Sequence, residues 1–481
     1  MESVDIQILL GFFSLAYTVI EIMAIITAVT AVRDTRTPQG AVAWTISLVS
    51  FPLLSLPLYW IFGRSKFHGY VETIRDVDEQ FRSDMKLRHN LPEVKKISER
   101  QKPHAPRCSF ETMARMPFAG GNELELYTSG NATFEAIFEA IEKATDSLLI
   151  QFYIVHEDNL GKRMQASLLR KAEQGLTIRF LYDEIGSHAT PESFWQTMRK
   201  AGIEVHPFHT TKGRGNRFQL NFRNHRKIVI ADNRIAFVGG HNVGDEYLGK
   251  SKHFSGWRDT HMRITGPAIL GVGLSFARDW HWATGELLDV AEKLPPQVGN
   301  AEVLAFSTSP ADPLETCSLM FIRAINSARK RFWIASPYFV PDSGVTKALQ
   351  LAAMRGVDVR IILPHKADHI LVYLAGFSCL KELQMETIRV FRYQHGFMHQ
   401  KVFLVDDALA GVGTANLDNR SFRLNFELTM LVEDPAFCSR IESMFLTDFM
   451  HSDEVGTEEF DNKNIIKQTV IRFARLFSPI L

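Results

Sequence analysis

The strongest constraint on the fold of this 481-residue chain is that its sequence from about residue 121 onward occurs twice. In each copy a helix-like segment precedes an apolar, strand-like run, at residues 148–155 and again at residues 332–340. Each copy continues with a helix that ends at a glycine, Gly175 or Gly356, and then with another apolar strand. A repeat of roughly 180 residues is too long for a solenoid and indicates a duplicated domain. Because strands and helices alternate, we expect each copy to form an α/β sandwich with a mixed sheet.

A chemical motif is duplicated together with the fold. Both copies contain the pattern H-x-K-x4-D, and in both a glycine follows the histidine by 14 residues and an asparagine follows it by 17. The candidate catalytic and phosphate-binding residues are His225, Lys227, Asp232 and Asn242 in the first copy and His399, Lys401, Asp406 and Asn416 in the second. Identical spacing at the same place in both copies excludes a chance match, and two buried structural histidines would not explain the duplication.

The spacing predicts where these side chains lie. Histidine and lysine two residues apart on a strand face the same side. A tight turn follows at each aspartate, and the returning strand ends at the glycine, where the asparagine turns in beside the other two. Each copy therefore offers one imidazole, one ammonium and one amide at one end of its sheet.

These groups suit chemistry on a phosphodiester. Ammonium and amide groups can hold non-bridging phosphate oxygens, while one imidazole attacks phosphorus and another transfers the proton. One copy has only one such histidine, so we expect the two halves to face each other about a pseudo-twofold axis. The ammonium beside each histidine would repel a cation, and we predict no metal site.

Each histidine needs a partner that fixes its tautomer. Asp259 and Glu427 lie just downstream of the two motifs, and we expect each carboxylate to hydrogen-bond the histidine of its own half. The alternative is that both are ordinary surface or turn carboxylates.

The N-terminus is apolar enough to enter a membrane. Residues 6–32 and 41–62 are two apolar runs joined by a short polar turn, which predicts a transmembrane helical hairpin. The acidic start of the chain argues against a cleaved signal peptide. Pro52 and Pro57 leave a re-entrant or interfacial second segment as the alternative.

Composition limits the remaining possibilities. Lys and Arg together number 54, as do Asp and Glu, so the chain lacks the basic excess of a dedicated nucleic-acid binder. Four scattered cysteines favour a reducing compartment and place the large C-terminal part in the cytoplasm. The predicted segments are a hairpin at 1–64, a connector at 65–120, the two halves at 121–300 and 301–460, and a tail at 461–481.

Two features favour a lipid substrate. Between residues 205 and 231 the chain has six basic residues and no acidic one, a pattern that attracts anionic head groups but also fits a solvated loop. The C-terminal tail predicts a basic amphipathic helix that lies on a membrane or packs on the catalytic domain. The basic residues of the first segment are Lys212, Arg214, Arg217, Arg223, Arg226 and Lys227, and the apolar residues of the tail are Ile466, Val470, Phe473 and Phe477.

The doubled H-x-K-x4-D-x6-G-x2-N pattern resembles the phospholipase D superfamily. Four other stretches resemble the bacterial cardiolipin synthase family within it, and together the resemblance covers nearly the whole chain. They read TPQGAVAW from residue 37, SPYFVP from residue 336, GTANLDNRS from residue 413 and LFSP from residue 476. One departure is His241, which stands where the second copy has Ala415 and which we assign no role.

The resemblance implies transfer of a phosphatidyl group between two phosphatidylglycerols, giving cardiolipin and glycerol. It also implies a phosphohistidine intermediate without metal or cofactor, in a multi-pass protein of the bacterial plasma (inner) membrane. We favour His225 as nucleophile and His399 as acid and base, although the sequence is nearly symmetric. A hydrolase of the same superfamily and a non-catalytic lipid-binding scaffold are the alternatives, and two intact motif copies argue against the scaffold.

Overall fold

The computed structural model describes residues 2–35, 37–63, 67, 69–87, 105–211, 221–251, 253–290, 295–383, 387–456, 459, 461 and 463–481. Over these residues the helices α1 to α15 are Glu2–Asp34, Pro38–Ser50, Pro52–Leu58, Tyr70–Leu87, Ala105–Ala114, Gly130–Lys143, Asn159–Glu173, Glu192–Lys200, Ile269–Thr284, Thr316–Ser327, Ser343–Met354, Ile370–Leu383, Asn419–Arg423, Pro435–Met450 and Ile465–Arg475. The strands β1 to β20 are Ala119–Tyr127, Ser147–Phe152, Thr177–Asp183, Glu204–Phe208, Arg223–Asn224, Ile228–Ala231, Ile235–Gly239, Trp257–Arg258, His261–Thr265, Ala301–Thr308, Arg331–Ala335, Phe339–Val340, Asp358–Pro364, Ile388–Tyr393, Phe397–Met398, Val402–Val405, Leu409–Gly413, Leu417–Asp418, Asn425–Glu433 and Ser452–Val455.

The chain divides into two compact units. The smaller is Met1–Gly69 with Thr210–Phe222, and the larger is Tyr70–His209 with Arg223–Leu481. Within the smaller unit, the segment Leu10–Asp34 of α1 is long and apolar enough to cross a bilayer.

The second apolar run of the smaller unit does not form one long helix. α2 has 13 residues, which rise about 20 Å, less than the roughly 30 Å of a hydrocarbon core. The run is interrupted at Phe51, and α3 begins at Pro52, which has no amide hydrogen to donate. α1 and α2 share a buried apolar cluster that includes Ala24, Ala28 and Ala31 of α1 and Leu48 of α2. Of the described residues, only those of α1 form a helix of spanning length, so one apolar helix is confirmed and the hairpin stays a prediction.

The larger unit is built on a mixed β-sheet of sixteen described strands. Its centre is antiparallel, whereas β2, β3 and β4 at one side and β11, β13 and β14 at the other are parallel. The strand order is β20-β14-β13-β11-β16-β17-β19-β10-β1-β9-β7-β6-β2-β3-β4, with β5 paired to β19. This confirms the predicted α/β class and mixed sheets.

The strand order confirms the duplication as well. β1 and β10 begin the two copies and pair with each other at the middle of the sheet. Outward from this pair, β9-β7-β6-β2-β3-β4 follow on one side, and β19-β17-β16-β11-β13-β14 follow in the same order on the other. One buried apolar cluster includes Ile228 and Met262 of the first copy with Val402 and Met430 of the second. The two copies therefore share a sheet and a core.

Local sequence explains the repeated turns. Gly175 and Gly356 have φ angles of 85° and 82°, which confirms the predicted glycine ends of the preceding helices. The motif glycines have a different function. A Cβ atom at Gly239 would lie 2.5 Å from the Cα atom of His261, and one at Gly413 would lie 2.6 Å from the Cα atom of Thr429. Glycine is needed there because the neighbouring strand is too close for a side chain.

The motif aspartates lie in the tight hairpin turns after β6 and β16. Asp232 and Asp406 have φ angles of 54° and 52°, and their carboxylates accept hydrogen bonds from consecutive backbone amides. These amides belong to the residues that begin β2 and β11, including Ser147 and Arg331, each at 2.9 Å. Both aspartates lie at the opposite end of their strands from the histidines. We therefore correct their predicted catalytic role: their contacts assign them to holding the strands in register.

We expect Asp406→Ala to lower the free energy of unfolding by about 1–3 kcal/mol, because several backbone amides lose their acceptor. Denaturant unfolding in detergent measures this loss. The matched control is Asp407→Ala in the same turn, whose exposed ion pair with Arg331 should contribute less than about 1 kcal/mol. Equal losses in the two variants would contradict the structural role of Asp406.

Candidate active site

One cavity contains both motif histidines. Its volume is about 590 Å³, and its lining includes His225 and Asn242 of the first copy and His399 and Asn416 of the second. Both imidazoles are largely buried, with 7% and 8% of their residue surface exposed. The two copies thus place their histidines in a common cleft.

Short strands cross between the copies at this cleft. β5 of the first copy pairs in parallel with the start of β19, and the His225 amide donates to the Phe426 carbonyl oxygen at 2.9 Å. In the same way, β15 of the second copy pairs with β8, and the His399 amide donates to the Arg258 carbonyl oxygen at 2.8 Å. Each histidine is therefore held beside the carboxylate-bearing segment of the other copy.

The carboxylate partners are exchanged as a result. His225 Nδ1 lies 3.0 Å from Oε2 of Glu427, and His399 Nδ1 lies 2.7 Å from Oδ2 of Asp259. The prediction that each carboxylate pairs with the histidine of its own half is wrong. The reason is that Glu427 follows Phe426 directly, just as Asp259 follows Arg258, and these are the residues to which the opposite histidine segment is hydrogen-bonded. With Nδ1 occupied, Nε2 is the nitrogen that each imidazole offers to a substrate.

The two lysines lie behind the histidines. Lys227 Nζ donates to the His225 carbonyl oxygen at 2.6 Å, and Lys401 Nζ donates to the carbonyl oxygen of His399. Lys401 Nζ also lies 2.9 Å from His399 Nδ1, but that nitrogen donates its single proton to Asp259. Among the described residues, no group of three or more His, Cys, Asp or Glu side chains is arranged to hold a metal ion.

Burial controls the charge of the site. It lowers the pKa of His225 and of His399 to about 4, against the opposing effect of the carboxylates. Burial also lowers the pKa of Lys227 to about 7 and that of Lys401 to about 8. Without a substrate, both imidazoles are neutral at pH 7. A bound phosphate anion would raise all four pKa values, because it favours the charged form of each group.

The two motif asparagines differ in their contacts. Asn242 Nδ2 donates to the Tyr247 hydroxyl at 3.0 Å, and its Oδ1 accepts from the Ile154 amide at 3.2 Å. Asn416 Oδ1 is buried and has no partner among the described residues. Both residues line the cavity. The side-chain amide of Asn416 has fewer hydrogen bonds to described residues than that of Asn242.

Glu427 has hydrogen-bond donors that the sequence analysis did not assign. Besides His225, the hydroxyls of Thr414 and Ser421 and the Asn425 amide donate to it. Asp259 accepts from His399 and from the Thr260 backbone amide. Thr414 and Ser421 lie in the GTANLDNRS stretch, so the signal was present, but the sequence did not show that they meet this carboxylate.

The residue between histidine and lysine in each motif anchors the strand. Arg226 forms a fully buried ion pair with Asp279 at 2.6 Å and also donates to the Ser307 hydroxyl and the Thr308 carbonyl oxygen of the second copy. At the matching position, Gln400 donates to Asp448 at 2.9 Å. The sequence marked these positions only as variable, yet both fix the strand that carries a histidine.

Comparisons with known proteins agree with this arrangement. The family described as "Cardiolipin synthase, PLD-like domain" matches residues 137–254 and 321–449, and "Phospholipase_D-nuclease N-terminal" matches residues 22–64. Cardiolipin synthase A of Pseudomonas putida is 46% identical over 474 residues, which is 98% of this chain and 98% of that protein. Cardiolipin synthase A of Pseudomonas fluorescens is 46% identical over 473 residues, with the same coverage of both chains.

A solved structure shows a similar fold. Phosphatidylserine synthase of Haemophilus influenzae superposes with a TM-score of 0.61 at 17% identity, over 79% of this chain and all of that one. The fold and the paired histidine sites define a duplicated phospholipase D-like protein. Within that class, the chain belongs to the cardiolipin synthase family.

The extra histidine of the first copy lies deep in the protein. His241 is fully buried, its ring centroid is 5.6 Å from that of His261, and neither of its ring nitrogens has a partner among the described residues. Burial lowers the pKa of His241 from 6.5 to about 4. Between these pH values the unfolded chain takes up a proton that the folded chain does not, so this group makes folding less favourable as the pH falls.

We expect the wild type to lose about 3 kcal/mol of unfolding free energy relative to His241→Ala between pH 6.5 and pH 4. Alanine is the residue of the second copy at this position, which makes the variant a matched reference. Denaturant unfolding at several pH values gives the difference between the two chains. If the unfolding free energies of the two chains change in parallel with pH, His241 is charged, or reaches solvent, in the folded protein.

Proposed function

We propose that this chain is a cardiolipin synthase, a phosphatidyltransferase that converts two phosphatidylglycerols into cardiolipin and glycerol. The observation that carries the proposal is the single cavity lined by His225 and His399, each paired at Nδ1 with a carboxylate of the other copy. Relatives named cardiolipin synthase A, similar over nearly the whole length, support the choice of substrates.

In the first step, Nε2 of one histidine attacks the phosphorus of the donor phosphatidylglycerol. The new N–P bond replaces the P–O bond to the head-group glycerol, and the leaving oxygen takes a proton from the second imidazolium. Lys227, Lys401, Asn242 and Asn416 are the proposed partners of the non-bridging oxygens. The charge of the bound phosphodiester raises the histidine pKa enough for one imidazole to be protonated at this stage.

In the second step, the phosphatidyl group passes to a second phosphatidylglycerol. The now neutral imidazole accepts the proton of the acceptor's head-group hydroxyl, whose oxygen attacks phosphorus as the N–P bond breaks. The histidine nucleophile returns to its starting state and cardiolipin leaves. The same groups serve both directions, so the transfer is reversible, and no cofactor is required.

The different surroundings of the two carboxylates support His225 as the nucleophile. Among the described residues, Glu427 shares its charge among three neutral donors besides His225, whereas Asp259 accepts from one backbone amide besides His399. Each carboxylate also interacts with the lysine of a motif, Asp259 with Lys401 and Glu427 with Lys227. With fewer neutral donors to share its charge, Asp259 is proposed to stabilise an imidazolium more strongly. His399 is then the imidazole that is more readily protonated before the first step, and His225 stays neutral and able to attack.

A membrane location fits the exposed apolar surfaces. Large apolar side chains of α1 such as Phe12 and Ile26 are more than 60% exposed, and we propose that α1 spans the membrane and that α2 and α3 return as the second arm of a hairpin. The tail helix α15 buries Ile471 but leaves Phe473 exposed, so it packs on the domain and still presents an apolar face. Phe473 shares that exposed face with Ile466, Val470 and Phe477.

The remaining expectations are part of the same proposal. We place the protein in a bacterial inner membrane as a multi-pass protein, with the catalytic halves in the cytoplasm and anionic lipid as partner. The strand order repeats outward from the central pair on both sides, and this supports halves at 121–300 and 301–460 related by a pseudo-twofold axis. Lys212, Arg214 and Arg217 of the basic segment lie outside the described residues.

Purified protein incubated with phosphatidylglycerol in detergent, without metal or nucleotide, should release glycerol and form cardiolipin. Thin-layer separation of labelled lipid measures both products. Phosphatidic acid in place of cardiolipin would make the chain a hydrolase, because water would then be the acceptor. No product of either kind would overturn the proposal.

Quenching the reaction with labelled phosphatidylglycerol should leave the label on His225, as mapped by mass spectrometry of peptides. His225→Ala should abolish labelling, and His399→Ala should abolish turnover while leaving membrane attachment intact. His451→Ala, outside the cavity lining, serves as the control and should label normally. Label on His399 would reverse the assignment of nucleophile and acid.

A further inference from the structure

Two arginines line the cavity in addition to the duplicated catalytic set. Arg223 lies two residues before His225, and Arg420 lies four residues after Asn416. Neither is repeated in the other copy: the residue two before His399 is Phe397, and the residue four after Asn242 is Glu246. The groups that act on the reacting phosphorus occur twice, whereas these two cations occur once.

The two arginines lie on the same side of the cleft, next to His225. The Tyr153 ring packs against the His225 ring with centroids 5.0 Å apart, and Lys227 Nζ lies 5.4 Å from the centre of the tyrosine ring. Burial raises the pKa of Tyr153, while Arg223, through a hydrogen bond and its charge, and Arg420, through its charge, lower it. The tyrosine therefore contacts His225 through its ring and Arg223 through its hydroxyl.

The arginines are also close to each other. Burial lowers the pKa of Arg420, and the charge of Arg223 lowers it further. Arg420 is held in place, because its backbone amide donates to the Leu481 carbonyl oxygen at 2.8 Å and its guanidinium donates to that of Ile480 at 3.3 Å. The charges of Asp418 and Asp183 act on Arg420 in the opposite direction, so the two cations are partly compensated within the protein. A bound phosphate would add charge-assisted hydrogen bonds to the guanidinium groups.

The opposite wall of the cleft has a different character. Trp257 packs against His399 with ring centroids 5.0 Å apart, and Phe254 packs against Trp257 at 6.2 Å. Glu246, which takes the place of Arg420 in the first copy, lies 3.8 Å from His156. Asp418 also lines the cavity near Arg420, but the guanidinium groups among the described lining residues are those of Arg223 and Arg420. A second phosphate would therefore find its charged donors on the Arg223 side.

We propose that Arg223 and Arg420 bind the phosphodiester of the acceptor phosphatidylglycerol and thereby select a phospholipid as acceptor. This inference rests on the proposed function. Cardiolipin carries two phosphates separated by one three-carbon glycerol, so the acceptor's own phosphate must lie a glycerol length from the phosphorus on His225. Both arginines line the same cavity as that histidine, and Arg223 hydrogen-bonds the tyrosine whose ring packs against it. Their forked donors match two phosphate oxygens.

The test separates the donor half of the reaction from the acceptor half. Incorporation of labelled glycerol into phosphatidylglycerol requires the donor site but no acceptor phosphate, whereas cardiolipin formation requires both. We expect Arg223→Gln and Arg420→Gln to slow cardiolipin formation by about 10- to 100-fold while glycerol exchange stays within about twofold. Retained exchange also shows that each variant is folded. Arg420→Lys should recover part of the cardiolipin rate, because it keeps the charge but loses the fork.

The control is Arg389→Gln, which removes an exposed arginine paired with Glu454 and should change neither rate. Equal losses of exchange and cardiolipin formation in the Arg223 and Arg420 variants would place these residues on the donor phosphate or in the fold and overturn the inference. Unchanged cardiolipin formation would overturn it as well. Absence of both reactions in the wild type would instead overturn the proposed function.

Discussion

The crossed strand pairing at the cleft is the constraint on which the rest of the site depends. The backbone bonds from His225 to Phe426 and from His399 to Arg258 join each histidine segment to the opposite copy. Because the next residue in each acceptor segment is a carboxylate, tautomer control comes from the other half of the molecule. Neither half alone contains a histidine with its orienting partner. The duplicated domain is therefore one catalytic unit, which agrees with the sheet and the buried apolar cluster that the two copies share.

Buried charge is also found in the motif segment of the first copy, directly after His225. The Arg226–Asp279 pair is fully buried, and such a pair is tolerated only when hydrogen bonds satisfy the remaining donors and acceptors. Here Gln151, Asn224 and Ser307 supply them. The polar atoms that lack partners among the described residues include Asn416 Oδ1 and Asn425 Oδ1, and both residues line the cavity. Both oxygens are acceptors, so a donor such as a head-group hydroxyl of the substrate, and not the phosphate itself, would supply the missing contact.

Residues that recur in both copies and residues that differ between them have different functions in this fold. Two equivalent histidine, lysine and asparagine sets suit one phosphorus atom that is first attacked and then released, because the two steps are chemically alike. The two substrates are not equivalent, and the differences between the copies follow that distinction. Thr414 supports Glu427 where the first copy has Gly240, and Arg420 stands where the first copy has Glu246. Divergence after duplication has given each side of the cleft its own electrostatics.

The sequence by itself determined the α/β class, the duplication, the glycine turns and the two histidines that share a cavity. It could do so because these features repeat with fixed spacing, and spacing along a strand or turn translates directly into local geometry. Tertiary structure decided what joins distant segments: the exchange of carboxylates between halves, the role of Asp232 and Asp406 in the turns, and the anchoring by Arg226 and Gln400. The division of the second apolar run at Pro52 also needed the structure. The position of a residue in the motif shows that it recurs in both copies. Only the packing of the two copies determines which half supplies the carboxylate partner of each histidine.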